Sequence, residues 1–576
     1  MPSGNGAEPS AFRFEKIDAA ILALILGFAL LLIARKGFGT GQELWPMPDA
    51  EEYAATAVNL DRGLGPVLHF GGISYPSLHP IGYPLILAAA YPLLGHRVER
   101  LCMVTALTAL VAIAGLYLLT LGMFDRPSAI FAGLLLATSP HFLVLSTCVM
   151  SDVPALAVVI PAVLAFLYAE EKESMVASAL CGLLAGLAVT IRPTNAVILV
   201  GMLAAVVLVQ PPRLRLARVM AFAIAFLPFP GLQAWVNLHY LGSPLSSGYA
   251  FWLPQFYSSM FKPFKLSYLF VPCHAIDTGD RHGSLISYAI AMLGLDGIFG
   301  QVPMSWKLRA LVHARYDLYP FPVAVFAGLG VFMAMRRDGN ASMMRAMYLG
   351  LGFLASLLLI CLFHFYVDPR FLLPALFIVF AAAGYGLVSA NRRLKWGCAG
   401  FAVIALDALL AGAIVVVTVS RLAAAPPSKL VAEVLTIRPR LSNAVVVSDI
   451  SLQWLELYAG GEQTDFVGLS NLFAPQAKQG SPEDYHLFYL WLKKAEGWSG
   501  PIPPVLLPDG SLDLAEAGKL AQQDKMGRPV YLLLLGLASR GSLDEPEREF
   551  AQIDPYFTHE TIAHYPELGL YRLKAR

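Results

Sequence analysis

Two acids and two arginines stand where an apolar chain changes direction. Pro48-Asp49-Ala50-Glu51-Glu52-Tyr53 follows the first apolar segment and leads to Tyr75-Pro76-Ser77-Leu78-His79-Pro80-Ile81-Gly82-Tyr83-Pro84. Asp152 lies in Met150-Ser151-Asp152-Val153-Pro154, Arg192 in Thr190-Ile191-Arg192-Pro193-Thr194-Asn195, and Arg370 in Val367-Asp368-Pro369-Arg370-Phe371. A carboxylate can take the proton of a hydroxyl nucleophile, and a guanidinium fork fits phosphate oxygens. Near a bilayer an acid is costly and often functional, so this set points to an enzyme working at the membrane face.

Each residue also has a plain structural reading. Asp49 followed three residues later by Glu52 is a capping-box pattern, which is compatible with a catalytic role. Tyr53, Ala57 and Leu60 share a face of that helix, with Glu51 and Glu52 off it, so the helix is expected to lie on the membrane. Ser151 or Asp152 can cap the helix whose first turn holds Pro154. Arg192 can anchor a hairpin, and Arg370 can extend its stem toward headgroups. His274, Asp277, Asp280, Arg281 and His282 form either a solvated loop or one that closes over a substrate.

The elements that must position these residues are membrane spans. The 576 residues are 57% hydrophobic and 14% charged, with a mean hydropathy of +0.61, outside the balance of soluble domains. A formal net charge of +1 argues against nucleic acid as a partner. The six cysteines are scattered, with no CxxC pair, so neither a disulfide framework nor a zinc site is expected. An uncleaved apolar run at 19–34 is followed by spans near 99–122, 129–147, 154–169, 176–191, 194–209, 219–240, 320–335, 346–363, 371–390 and 397–420, about eleven in all. Counting alternate loops puts Arg126, Lys172, Arg213, Arg215, Arg218, Arg336, Arg337, Arg345, Arg392, Arg393 and Lys395 inside, and Asp49, Asp152 and Arg370 outside. The segment Ile81 to Leu94 is short and Pro-rich and is read as a juxtamembrane or re-entrant helix.

After Arg421 the composition turns polar. Strands at Ala444 to Ser448 and Val530 to Leu535 alternate with helices at Ser451 to Tyr458, Pro482 to Glu496 and Ser511 to Lys525. A transmembrane domain over 1–420 and a soluble α/β domain over 421–576 are therefore expected, the latter outside.

With these residues in hand the chain resembles the GT-C membrane glycosyltransferases, in the branch of dolichyl-phosphate-mannose protein mannosyltransferases and the lipid A aminoarabinose transferase. The resemblance rests on Asp49 in the first external loop with Tyr53 behind it, Tyr75 to Pro80 leading into an apolar helix, and Ser139 to Pro154. It continues with the Gly186 to Pro193 hairpin and Pro369 to Pro374. Ala50 stands where protein mannosyltransferases have a second acid, and Ser-Leu-His replaces the lysine of the aminoarabinose branch. The resemblance implies an α-helical polytopic fold with juxtamembrane helices in the first external loop. It implies an inverting transfer of a sugar from a polyprenyl-phosphate donor to a cell-envelope acceptor, on the extracytoplasmic side of a bacterial inner membrane. Asp49 is then the base, Arg370 and Arg192 the phosphate partners, and Asp152, Tyr53, Tyr75 and His79 substrate or acceptor contacts. No cofactor is assigned, and a divalent cation held by the acids stays open. A transporter or flippase of lipid-linked sugars, or a non-catalytic scaffold, are the rival readings; the first calls for mid-bilayer acids in two related halves.

Overall fold

A computed structural model describes residues 14–36, 49–70, 73–209, 216–252, 321–335, 373–394, 429–448, 452–460, 464–468, 514–535 and 554–576, with Leu44, Gly350, Gly352 and Ile450. In chain order its main elements begin with α1 (Lys16–Lys36), α2 (Asp49–Asp61), β1 (Val67–Phe70), β2 (Ile73–Pro76) and α3 (Gly82–Ala90). There follow α4 (Cys102–Met123), α5 (Arg126–Thr138), α6 (Pro140–Leu145), α7 (Asp152–Lys172), α8 (Met175–Ile191), α9 (Val197–Val209), α10 (Leu216–Phe226), α11 (Pro228–Leu241) and α12 (Gly248–Trp252). The remainder are α13 (Phe321–Met335), α14 (Leu373–Leu394), α15 (Lys429–Ile437), β3 (Val445–Ser448), α16 (Leu452–Tyr458), β4 (Asp465–Gly468), α17 (Leu514–Lys525), β5 (Val530–Leu535), β6 (Phe557–His564) and β7 (Leu568–Ala575).

The chain divides into two compact units. One comprises Met1–Gly37, Met103–Ala234 and Gln255–Ala424; the other comprises Phe38–Cys102, Trp235–Pro254 and Ala425–Arg576.

The first unit is a helical bundle in which α5 packs on α1 and α14, α7 on α8, α8 on α10, and α13 on α14. Four segments among the described residues are long and apolar enough to cross a membrane: Lys16–Arg35, Val98–Met123, Asp152–Lys172 and Leu216–Leu241. The expected span at 397–420, and that at 346–363 apart from Gly350 and Gly352, lie outside the described residues. The expected span at 129–147 is two helices, because Pro140 forces Ser139 into an extended conformation and ends α5 at Thr138.

Small residues set the close crossings. A Cβ on Gly182 or Gly186 of α8 would collide with the carbonyl oxygens of Phe222 and Phe226 in α10, so a Gly-x-x-x-Gly stripe lets the two backbones meet. Gly330 and Gly386 play the same part where α13 crosses α14.

Ion pairs close one end of this bundle. The Asp18 carboxylate, wholly buried, accepts from Arg126 Nε at 2.6 Å and from the Tyr117 hydroxyl at 3.0 Å. Arg126 also meets Glu15 at 2.8 Å, and Arg392 meets Asp125 at 2.8 Å. Arg218 donates to the Ala169 carbonyl at 3.0 Å and lies 3.7 Å from Glu170. These are the starts of α1, α5 and α10 and the ends of α7 and α14, which alternate counting assigns to one side.

In the second unit a five-stranded sheet has the order β4-β3-β5-β7-β6. β3 pairs in parallel with β4 and β5, while β7 pairs antiparallel with β5 and β6. Val445, Val447, Val467, Val530, Leu532, Leu534, Phe557, Tyr571 and Leu573 form its core, covered by Leu520 and Ala521 of α17. Every residue of β3 is buried, as expected of a central strand covered on both faces. The strands read from sequence at 444–448 and 530–535 are present, and the helices read at 451–458 and 511–525 are described over Leu452–Tyr458 and Leu514–Lys525; the helix read at 482–496 lies outside the described residues.

The same unit contains α2, the β1–β2 hairpin and α3. At nine residues, α3 is about 13 Å long, under half of a bilayer core, and it packs on α2. Helix α2 also meets β1 and α16, and Ala50 through Asn59 are all buried. Packing on several sides encloses Glu51 and Glu52, both 0% exposed.

Candidate active site

Hydrogen bonds from α2 fix the chain that follows it. Asn59 Nδ2 donates to the Val67 carbonyl at 2.9 Å, which starts β1 beside the end of α2. The hairpin then returns with Leu68 opposite Tyr75. Thr56 Oγ1 lies 3.1 Å from Ser77 Oγ, and Ser77 Oγ donates to the His79 carbonyl at 3.2 Å. Residues 77–79 therefore run along one face of α2, the one formed by Asp49, Glu52, Tyr53 and Thr56 at helical spacing.

His79 sits at the centre of this face with its side chain 4% exposed. Its Nε2 lies 3.0 Å from Glu52 Oε2 and 3.9 Å from Asp49 Oδ1. Its Nδ1 lies 2.9 Å from the Tyr249 hydroxyl. The ring stacks on Tyr53 with centroids 4.1 Å apart and planes 15° apart, and Tyr83 meets Tyr53 edge-on at 5.2 Å. Of the two carboxylates facing the imidazole, Glu52 is fully enclosed whereas Asp49 keeps 26% of its side chain exposed. The arrangement gives an accessible carboxylate backed by a buried acid and an imidazole.

Tyr75 is 1% exposed; it lies 6.0 Å from the Trp252 ring, and burial raises its hydroxyl well above the usual tyrosine value. It is part of the packing that holds the hairpin.

The first unit holds another polar pair. Asp152 opens α7 and Arg192 follows α8, and the guanidinium donates to the Asp152 carboxylate and, at 3.4 Å, to the Ser151 hydroxyl. Asp152 is 1% exposed and the Arg192 side chain 15%. Ser151 makes no side-chain cap to α7, so the Ser-Asp pair there serves the arginine. Asn195 Nδ2 donates to the Ala188 carbonyl at 2.8 Å and secures the turn that carries Arg192. Arg370 and the 274–282 cluster lie outside the described residues. Among the described residues no group of three His, Cys, Asp or Glu side chains converges as a cation site.

Sequence reasoning named Asp49, Tyr53 and His79, which the structure brings together. It weighed Glu52 only as a capping partner, although three-residue spacing from Asp49 was the available signal. Tyr249 had no signal, because it is 170 residues from His79.

Residues 78–235 match the family described as dolichyl-phosphate-mannose-protein mannosyltransferase. No curated protein matches the chain in sequence. Among solved structures it is similar to ArnT from Cupriavidus metallidurans bound to undecaprenyl phosphate, with a TM-score of 0.62, 13% identity, and 96% of this chain and 98% of that one covered. The apo state of the same ArnT aligns with a TM-score of 0.58 at 14% identity, covering 97% and 98%. The archaeal oligosaccharyltransferase AglB from Archaeoglobus fulgidus, in complex with an inhibitory peptide and a dolichol-phosphate, aligns with a TM-score of 0.52 at 12% identity, covering 96% and 74%. At such identities the likeness is one of fold. The likeness in fold runs along nearly the whole chain, and the family match covers residues 78–235 within it.

Proposed function

We propose that the chain transfers a sugar from a polyprenyl-phosphate donor to a hydroxyl of a cell-envelope acceptor, with inversion at the anomeric carbon and Asp49 as general base. The observation that carries this reading is the contrast between the two carboxylates on His79: Glu52 is enclosed, and Asp49 is open to a substrate. In the reaction the acceptor oxygen bonds to the anomeric carbon, its proton passes to Asp49, and the sugar–phosphate bond breaks with its electrons going to the departing polyprenyl phosphate. That phosphate is already a competent leaving group, so the site needs a base and fixed positive charge more than an acid. Arg192 and Arg370 are the proposed phosphate partners, and Asp152 orients Arg192. The lipid-linked donor is supported by ArnT and AglB, solved with undecaprenyl phosphate and dolichol-phosphate. Residues 1–420 are the proposed catalytic membrane domain. In the proposed topology the ends carrying Arg126, Lys172, Arg218 and Arg392 face the cytoplasm, and Asp49 and residues 421–576 the opposite side of a bacterial inner membrane.

The test is Asp49→Asn in full-length protein, assayed for movement of radiolabelled sugar from undecaprenyl-phosphate sugars to host envelope vesicles. Transfer is expected to fall at least about a hundredfold, the usual contribution of a general base, with donor binding retained. Near-normal turnover in a well-folded variant removes Asp49 from the role.

A further inference from the structure

We infer that α12 is a clamp that holds the His79 ring against the Asp49 and Glu52 carboxylates, which makes Tyr249 and His79 positioning residues for the base. The inference rests on the reaction proposed above, but its geometry is independent of which sugar moves.

Three residues of this short helix grip one stretch of chain. Gly248 lies so close to the carbonyl oxygens of Ser77 and Leu78 that a Cβ there would collide with both. Tyr249 reaches His79 Nδ1 at 2.9 Å. Trp252, wholly buried, donates from Nε1 to the Pro76 carbonyl at 2.7 Å. Ser247 Oγ accepts from the Ala250 N–H at 3.1 Å and so sets the start of the helix. The backbone from 76 to 78 and the ring at 79 are thus held by one short helix.

The ring itself has both nitrogens and one face engaged, leaving it a single orientation. Nε2 faces two carboxylates, which only accept, so that nitrogen carries a hydrogen, and Nδ1 pairs with the Tyr249 hydroxyl. A ring with its hydrogen on Nδ1 alone would turn a lone pair toward Glu52 and Asp49, and a flipped ring would turn a C–H there. The Tyr249 hydroxyl opposes the flip, which would take Nδ1 away from its partner. The Nε2 edge of the ring then faces Glu52 at 3.0 Å and Asp49 at 3.9 Å, so the ring's orientation sets the electrostatic surroundings of the Asp49 carboxylate. A remote segment of the chain is in this way built into the orientation of the base.

Tyr249→Phe keeps the ring and removes only the hydroxyl. In the same undecaprenyl-phosphate sugar assay, kcat is expected to fall about tenfold with the donor KM little changed, the split expected when ground-state binding is intact. In an Asp49→Asn background the same change should cost nothing further, because the effect passes through the base. An equal fall in both backgrounds overturns the inference. Amide hydrogen exchange over residues 75–83 reads the clamp without any activity: Tyr249→Phe and Trp252→Phe should each speed exchange there, and unchanged exchange in both overturns it. A parent protein with no transfer, yet with faster exchange in the variants, leaves the clamp standing and removes the proposed reaction.

Discussion

Arg192 and Asp152 form an ion pair across neighbouring ends of α7 and α8, with the carboxylate nearly fully buried and the guanidinium largely so. Removing one partner strands the other, at a typical cost of about 3 kcal/mol. Arg192→Met is therefore expected to lower the melting temperature in detergent, and Asp152→Asn combined with it to recover much of the loss. If Arg192→Met leaves melting unchanged but weakens binding of undecaprenyl phosphate, the pair contributes to recognition alone.

Glu52 has no route to solvent, so its carboxylate acts through His79. Glu52→Gln conserves volume but cannot accept at both terminal atoms, and it should reduce transfer by about tenfold. The readout is turnover beside melting temperature: a large fall in stability with unchanged turnover per folded molecule would assign Glu52 to folding only.

The α8–α10 crossing depends on glycine. Gly186→Val forces the Phe226 backbone outward, and overpacking of this kind typically costs about 1–3 kcal/mol. Gly27→Val in α1, where nothing lies within 4 Å, is the matched control and should melt like the parent. Equal melting of the two variants would contradict the crossing.

Burial pushes the Glu456 carboxyl up from 4.5 to about 7. The folded chain therefore holds this proton more tightly than the unfolded chain does. Its contribution is fully present below pH 4.5 and is lost as pH rises toward about 7, where the folded group also ionises. Glu456→Gln should melt with the parent at pH 4.5 and above it at pH 8. A stabilisation that is independent of pH would show that ionisation is not the cause.

The apolar runs placed the helices from 102 to 241 to within a few residues, because in a bilayer the backbone must satisfy itself within each span. It missed the break at Ser139-Pro140, where one proline outweighs an apolar run. In the second unit the strands at 445–448 and 530–535 were legible as β-branched and leucine runs. β4, β6 and β7 were not, since their alternation is weak and their pairing is long-range. Asp49 was legible as a candidate because an acid beside an apolar segment is unusual. The partners that distinguish it from Glu52 were not.

The sequence by itself determined the class of the protein and the acids and arginines that stand at its turns, because composition and run length act locally and survive without tertiary contacts. Tertiary structure alone decided that α2 is enclosed and that the open carboxylate is Asp49. It also decided that Tyr249 and Trp252 hold residues 76–79. These depend on burial and on contacts between segments about 170 residues apart, and no local pattern encodes which distant side chain will fill a given space.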